Sequence, residues 1–202
     1  MKSNTINLEN YWNKAVSYSE YKKIIKERAE QNTDSLSGKE KEWIHFTKLN
    51  ISRINRIEKT LVLSEDILSK LHSINHKINI LVISEGWCGD AAQIVPVINK
   101  MAENSDHLEL KLFFRDEDEV LINQYLTNGG KAIPIAILFN AKTFEEVSHW
   151  GPRPKACIPL LQRYKADPEN YTHDHFVLDI QNFYNQDKGQ SIANELIELF
   201  QR

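Results

Sequence analysis

The stretch INILVISEGWCGDAAQIVPVI, residues 78–98, contains the local patterns on which the predicted fold depends. Its first part, INILVIS, is short, apolar and rich in β-branched residues, which is typical of a strand buried on both faces. From about Asp90 onwards apolar side chains recur at helical spacing, with Pro96 inside this segment. Residues 85–89 join the two segments. The stretch therefore predicts a central strand followed directly by a helix.

Further strand and helix patterns alternate on either side of this stretch. The segments LELKLFF, residues 108–114, and IPIAILF, residues 133–139, predict two more strands, and EEVSHWG, residues 145–151, predicts an edge strand. Helical patterns lie before the first strand and between the later ones. This alternation predicts an α/β fold in which a central mixed sheet is flanked by helices.

Helical extensions are predicted at both ends of the chain. In residues 1–60, apolar side chains at helical spacing indicate one helix that continues until NTDSLSG interrupts it, and Ser37 followed by Glu40 predicts the start of a second helix. Residues 167–202 form the other extension, which we expect to pack on the central domain, residues 61–166. Its helical phase breaks near Gly189, which indicates a kink or two helices. The predicted apolar face of the second helix comprises Trp43, Phe46, Asn50, Ile51, Ile54 and Ile57.

Composition and charge exclude several classes of function. The 202 residues carry 25 basic and 28 acidic side chains, and the basic ones form no stripe, so we expect no nucleic-acid or membrane partner. The apolar runs are far shorter than the roughly 20 residues that cross a bilayer. The first residues lack the apolar segment of a signal peptide, which predicts a cytoplasmic protein. The oligomeric state is left open.

Cys88 carries the strongest chemical signal in the sequence. It stands at the predicted start of a helix, where unpaired backbone N–H groups and the helix dipole stabilise a thiolate. We therefore expect a thiol that is more nucleophilic than an ordinary cysteine. Asp90 acts in the opposite direction if its carboxylate lies near the sulfur, so the size of the pKa shift stays open. A buried and inert thiol is the alternative.

The order of motifs around Cys88 resembles that of the thioredoxin family. Residues 87–89 match the aromatic-cysteine motif that follows the central strand, Pro96 matches a proline that kinks the next helix, and Ile133-Pro134 matches the pair that precedes a neighbouring strand. The segments WCGDAAQIVPVI, RDED and YLTNGGKAIP are similar to a bacterial thioredoxin-like family with helical extensions at both ends. The resemblance implies a thioredoxin-like fold over residues 61–166.

The resemblance also implies roles for individual residues. Cys88 would be the exposed nucleophilic sulfur and the catalytic residue, and Trp87 would cover one side of the site. Pro134, after a cis peptide bond, would leave the backbone of Ile133 open to pair with an extended substrate chain. The substrate-binding residues implied in this way are Trp87, Gly89, Asp90, Ile133 and Pro134.

Ala91 departs from the family pattern. Thioredoxins carry a second cysteine three residues after the first, which resolves the mixed disulfide, so the motif excludes a dithiol mechanism. Cys157 is a further candidate for the resolving thiol, although a core position is the usual place of such a cysteine.

Two hypotheses about function follow from this departure. The C-x-x-A site is similar to those of monothiol family members, which implies an oxidoreductase for protein or peptide thiols and disulfides. It would need no bound cofactor and would use glutathione or another small thiol as co-substrate. The alternative is a non-catalytic thioredoxin-fold module that binds a peptide or protein partner.

The other polar clusters predict no metal site. THDHF, residues 172–176, places two histidines where they would face apart on a helix, so a helix entry is the simpler interpretation. His72 and His76 lack a third ligand. RDEDE, residues 115–119, lacks the spacing and the turn glycine of a calcium loop, and predicts a strand end followed by an acidic first helical turn.

Overall fold

A four-stranded sheet forms the centre of the molecule in the computed structural model, which describes residues 6–201. β1 (Ile78–Ser84) lies between β2 (Leu108–Phe114), to which it is parallel, and β3 (Ile135–Asn140), to which it is antiparallel. β4 (Glu146–Trp150) pairs antiparallel with β3, so that the strand order is β2-β1-β3-β4. The predicted α/β fold with a central mixed sheet is confirmed.

β1 is buried along its whole length. It pairs with a strand on each side and is covered on both faces, which explains why it is apolar at nearly every position rather than at alternate ones. Asn79 is buried with it. The carboxyl end of this strand leads directly into the loop that carries Cys88.

Helices precede, connect and follow the strands. Among the described residues, none of them is long and apolar enough to cross a membrane. Residues 1–5 and 202, which the sequence assigns to the terminal extensions, lie outside the described residues. The helices are α1 (Leu8–Lys14), α2 (Tyr18–Glu30), α3 (Gly38–Thr60), α4 (Glu65–His72), α5 (Gly89–Glu103), α6 (Glu119–Ile122), α7 (Ile158–Ala166), α8 (His173–Asp187) and α9 (Gln190–Phe200).

The first helical segment is broken between α1 and α2. Val16 donates a backbone hydrogen bond to Leu112 of β2 at 2.9 Å and accepts one from it at 2.8 Å, so the chain crosses the sheet edge in an extended conformation. Ser17 and Glu20 then form a capping box that starts α2. The prediction of one continuous helix is therefore wrong, because pairing with β2 outweighs the local helical pattern.

α3 begins with the predicted capping box between Ser37 and Glu40. Asn50 and Ile54 of the predicted apolar face are buried, but Phe46 of that face is exposed to solvent. The helix packs on α2 and α5. The residues buried there are Ile44, Thr47, Asn50 and Ile54.

The C-terminal extension consists of two helices, as the phase break near Gly189 predicts. Lys188 and Gly189 both adopt left-handed backbone conformations, with φ of 51° and 80°, and these separate α8 from α9. A Cβ atom on Gly189 would lie 2.8 Å from Cγ2 of Val97, so the position also requires close approach to α5.

Both terminal extensions contact the elements between them. α3 packs on α5, and α9 packs on α4 and α5. The division of the chain into residues 1–60, 61–166 and 167–202 stays a prediction.

Candidate functional site

Cys88 is the N-cap residue of α5, directly after the loop that follows β1. Its backbone N–H donates to the carbonyl of Glu85 at 3.2 Å, which closes a tight turn. Its sulfur accepts a hydrogen bond from the N–H of Ala91 at 3.4 Å. The prediction that Cys88 stands at the start of a helix is therefore confirmed.

The thiol of Cys88 is nevertheless buried, with 7% of the residue exposed, where the resemblance implies an exposed sulfur. It donates a hydrogen bond to the carbonyl oxygen of Ile133 at 3.3 Å. Burial, and then the charge of Asp90, raise the pKa of the thiol to about 12, while the N–H groups of Ala91 and Asp90 lower it by less. The prediction of a more acidic thiol is therefore wrong for this structure. Loss of solvation raises the pKa of Cys88 by more than the N–H groups at the helix start lower it.

Asp90 is held by contacts within the chain. One carboxylate oxygen lies 2.6 Å from Nη2 of Arg153, and the other accepts a hydrogen bond from the hydroxyl of Tyr184 at 2.9 Å. The Arg153 guanidinium also lies over the ring of Phe176, 5.4 Å from its centroid, and its Nε has no hydrogen-bond partner among the described residues. The charge beside Cys88 is thus compensated by a distant part of the chain.

Trp87 forms a stack with Trp43 of α3. The ring centroids are 5.4 Å apart and the planes differ by 13°. Arg115 lies over the Trp87 ring at 4.7 Å, and Lys39 lies over the Trp43 ring at 4.7 Å. One side of the motif tryptophan is therefore covered by a helix from the N-terminal part of the chain.

Glu85, three residues before Cys88, is a buried acid. Its carboxylate accepts a hydrogen bond from the N–H of Asp116 at 3.0 Å and lies 3.5 Å from Nη1 of Arg28. Arg28 in turn stacks over the ring of Phe114 at 4.0 Å. Burial raises the pKa of Glu85 to about 7. The carboxylate links α2 to the loop before Cys88 and to the residues that follow β2.

Ile133 and Pro134 lie beside the sulfur, and the peptide bond between them is cis. The backbone N–H groups of residues 131–133 donate no hydrogen bond within the described part of the chain. Gly151 packs against this pair: it has φ of 126°, and a Cβ atom there would collide with the carbonyl oxygen of Pro134.

An open groove of about 470 Å³ lies over Cys88 between α3 and α8, and we refer to it as the Cys88 groove. Three apolar side chains along it are partly exposed, namely Phe46 at 40%, Leu49 at 42% and Val177 at 40%. The groove brings Trp87, Gly89, Asp90 and Ile133 together, but Pro134 does not line it. α3 contributes Glu42, Trp43, Phe46, Leu49, Asn50 and Arg53, α8 contributes His173, Phe176, Val177, Ile180 and Gln181, and the rest of the lining is residues 87–90, Arg115, 131–133 and Arg153.

Comparison with known families agrees with this geometry. A family model described as thioredoxin matches residues 37–165, which is more than half of the chain. The chain belongs to this thioredoxin family. The match begins at the N-cap of α3, so it includes the helix whose Trp43 stacks on the motif tryptophan.

Two solved structures are similar to this thioredoxin-family chain in fold. A protein of unknown function from Pseudomonas aeruginosa has a TM-score of 0.60 and 13% identity, and the alignment covers 100% of this chain and 98% of that one. An HIV epitope scaffold has a TM-score of 0.63 and 14% identity, with 96% of each chain covered. At these identities the likeness concerns the fold alone. No curated protein matches the chain.

The second thioredoxin cysteine is replaced by Ala91, which is buried. Cys157 is buried as well, in the turn before α7, and it lines a different cleft from the Cys88 groove. Burial, followed by the charge of Asp90, raises the pKa of Cys157 to about 12. Both cysteines are free thiols, and burial disfavours the thiolate form of each.

The remaining polar clusters have structural roles. Thr172 and His175 form a capping box at the start of α8, which confirms the helix entry predicted from THDHF. RDEDE follows the end of β2 at Phe114, and Asp118 caps α6, so the acidic helix start is as predicted, whereas Arg115–Glu117 form a 3-10 helix that was not predicted. Within residues 6–201, no group of three or more His, Cys, Asp or Glu side chains is arranged to hold a metal ion.

The sequence patterns do not predict the contacts that four residues make around the site, namely Glu85, Trp43, Arg153 and Tyr184. Glu85 has a usable signal, since it is an acid placed directly after a fully buried strand. Trp43 lies on the predicted apolar face of α3, but nothing local indicates its stack on Trp87. Arg153 and Tyr184 carry no signal, because their contacts with Asp90 depend on the tertiary fold.

Proposed function

We propose that this thioredoxin-family protein binds an extended segment of a partner protein in the Cys88 groove, and that Cys88 acts there as a protonated, structural thiol. The observation that carries the proposal is the hydrogen bond from the buried Cys88 thiol to the carbonyl of Ile133 at 3.3 Å. A thiol that donates a hydrogen bond is protonated, and the thiolate is the nucleophile in disulfide exchange. The proposal keeps the cytoplasmic location predicted from the sequence and involves no bound cofactor.

The walls of the groove support binding of a peptide chain. Phe46, Leu49 and Val177 offer apolar surface that water reaches in the free protein, so covering them is favourable. The N–H groups of residues 131–133 have no hydrogen-bond partner in the described chain and belong to residues that line the groove, so we assign them to the backbone of an extended segment. Backbone pairing supplies affinity in strand addition, and side-chain pockets supply specificity.

Selection from a library of random peptides displayed on phage tests this proposal. We expect the wild-type protein to enrich a set of related peptides and Cys88→Ser to enrich the same set, because a serine hydroxyl can also donate to Ile133. Val177→Asp, which places a charge on the groove wall, should abolish enrichment. Leu178→Asp is the matched control, since Leu178 is the next residue of α8, is 58% exposed and does not line the groove. Absence of any enriched peptide on the wild-type protein contradicts the proposal.

Monothiol disulfide exchange is the second candidate. One observation favours it: Cys88 itself lines the groove, so a bound segment would lie against its sulfur. In that reaction the Cys88 thiolate, after losing its proton to solvent, would attack one sulfur of a substrate disulfide and release the other as a thiolate. Ala91 cannot resolve the mixed disulfide, so an external thiol such as glutathione would attack its substrate sulfur, form a substrate–glutathione disulfide and release Cys88 as a thiolate.

Alkylation by iodoacetamide in a Cys157→Ser background separates the two candidates. A protonated structural thiol should react slowly at neutral pH, with an inflection above the ordinary value of about 8.5. A fast reaction with an inflection below about 7.5, together with reversible glutathione attachment detected by intact mass, would favour monothiol exchange over the structural role.

A further inference from the structure

The charges of the Cys88 groove are unequally compensated. Three of the four cationic side chains that line it are paired with carboxylates of this chain. The pairs are Arg115–Asp116 at 2.7 Å, Lys131–Glu119 at 2.8 Å and Arg153–Asp90 at 2.6 Å. The fourth cation, Arg53 of α3, forms no ion pair with any described residue. Of these four cations, Arg53 is therefore the one without a described carboxylate within ion-pair distance.

Arg53 is held in place by a neutral partner. Its Nη1 donates to Oδ1 of Asn50 at 2.9 Å, and Asn50 donates to the carbonyl of Gly86 at 2.9 Å. A Cβ atom on Gly89 would lie 3.4 Å from the same Nη1, which places the guanidinium beside Cys88. Partial burial, and then the nearby charge of Arg56, lower the pKa of Arg53, while the charge of Asp90 acts in the opposite direction by less. A fixed, partly desolvated guanidinium is well suited to bind a carboxylate.

Apolar surface leads up to Arg53 along α3. Glu42, Phe46, Leu49 and Arg53 line the groove at helical spacing and span about 16 Å of the helix axis. An extended chain covers this length with about five residues. Phe46 and Leu49 on one wall and Val177 on the other would contact its apolar side chains. The exposed Glu42 lies at the end far from Arg53, so the charge of the groove changes sign along its length.

We propose that the Cys88 groove recognises an extended segment of a partner protein in which apolar residues adjoin an aspartate or glutamate, and that Arg53 binds this side-chain carboxylate. The inference rests on the proposed function and adds the chemistry of the partner. Arg53 is the specificity-determining residue, and it comes from a helix that the sequence assigns to the N-terminal extension.

The sequences of the peptides selected on phage test this inference. Because the displayed peptides are joined to the coat protein, a free terminal carboxylate cannot substitute for an acidic side chain. We expect the wild-type protein to enrich peptides with an acidic residue next to apolar ones. Arg53→Gln should still enrich apolar peptides but lose the acidic preference. Arg56→Gln is the matched control, because Arg56 is an arginine one turn further along α3 that does not line the groove and donates to Asn185 instead.

Affinities of one enriched peptide, made synthetically with an amidated C-terminus, give the size of the effect. Replacing its acidic residue by the corresponding amide should weaken binding to the wild-type protein about tenfold, and should change binding to Arg53→Gln by much less. Thermal unfolding of the variants checks that each is folded.

The outcomes distinguish this inference from the proposed function. Enrichment of apolar peptides without acidic residues, or an acidic preference that persists in Arg53→Gln, overturns the role of Arg53 and leaves peptide binding intact. Absence of all enrichment overturns both. A dimer in sedimentation velocity that Val177→Asp dissociates and Leu178→Asp does not would assign the groove to a second copy of the chain, and would also overturn the inference.

Discussion

Nη2 of Arg153 lies 2.6 Å from a carboxylate oxygen of Asp90, so the acid two residues after Cys88 is neutralised by a side chain that follows β4. The two charges of this pair have opposite effects on the pKa of the thiol. The charge of Asp90 raises the pKa of Cys88, and the charge of Arg153 lowers it. The ionisation of Cys88 therefore depends on whether the two charges remain paired.

Removing the charge of Asp90 should increase the reactivity of Cys88, and removing the charge of Arg153 should decrease it. In a Cys157→Ser background, Asp90→Asn should increase the rate of alkylation at pH 8.5 by roughly tenfold, because a charge that opposes the thiolate is lost. Arg153→Gln should decrease the rate, because Asp90 is then unpaired beside the sulfur. The rates are measured with iodoacetamide under conditions where each variant is folded.

Glu42→Gln is the control for this pair, since Glu42 is an exposed acid of the groove that is not among the main charges acting on Cys88, and the substitution should leave the rate unchanged. Equal rates in the Asp90→Asn and Arg153→Gln proteins would contradict the electrostatic role of the pair. Each single substitution should also cost about 2 kcal/mol of folding stability, since it leaves the other, partly buried charge without its partner.

Glu85 predicts a specific dependence of stability on pH. Its pKa is about 7 in the folded protein and 4.5 ordinarily, so the folded state holds a proton that the unfolded chain has released between these values. Its contribution to the free energy of unfolding is complete below pH 4.5 and is lost as the pH rises through 7. The loss is about 3 kcal/mol.

Glu85→Gln should abolish this part of the pH dependence. In urea unfolding between pH 4.5 and 8, the stability of the variant relative to the wild type should rise with pH. Glu117→Gln removes the other acid that pairs with Arg28 and is the matched control for the loss of a negative charge there, because Glu117 is exposed. A constant difference for Glu85→Gln would show that Glu85 ionises normally in the folded protein.

The stack of Trp43 on Trp87 can be tested by fluorescence quenching with acrylamide. Trp12 and Trp150 are buried, so the quencher reports mainly on the stacked pair. Trp43→Ala should expose the Trp87 ring and raise its quenching constant, whereas Trp43→Phe keeps an aromatic ring over it. Both variants lack the emission of Trp43, which makes them directly comparable. Equal quenching in the two proteins would mean that Trp43 does not cover Trp87.

The sheet could be predicted from the sequence because its strands are specified by local patterns. The segments INILVIS and LELKLFF coincide with β1 and β2 from end to end. Short apolar runs of this kind are typical of buried strands. The break at Val16 could not be predicted, because the backbone pairing with Leu112 joins parts of the chain that are distant in sequence. The outward position of Phe46 depends similarly on which face of α3 meets α5.

The site was predictable to a smaller extent. The motif around Cys88 indicates a helix start, and the structure contains one. Burial of the sulfur depends on Ile133, which is 45 residues away, and its electrostatic surroundings depend on Arg153. The local sequence indicates the helix terminus, which lowers the pKa of the thiol, but it does not indicate the loss of solvation, which raises the pKa. The loss of solvation has the larger effect here.

The close packing of the α8–α9 junction on α5 can be tested by adding a single methyl group at Gly189. Its φ of 80° is disfavoured for alanine, and the added Cβ would lie 2.8 Å from Cγ2 of Val97, so Gly189→Ala should cost about 2 kcal/mol or more of folding stability. Gly38→Ala is the matched control. Gly38 begins α3 with no atom within 4 Å of the added Cβ, so the same change should be neutral or stabilise by up to about 1 kcal/mol. Urea unfolding of both variants gives the comparison, and a Gly189→Ala protein as stable as Gly38→Ala would contradict the close packing of the junction on α5.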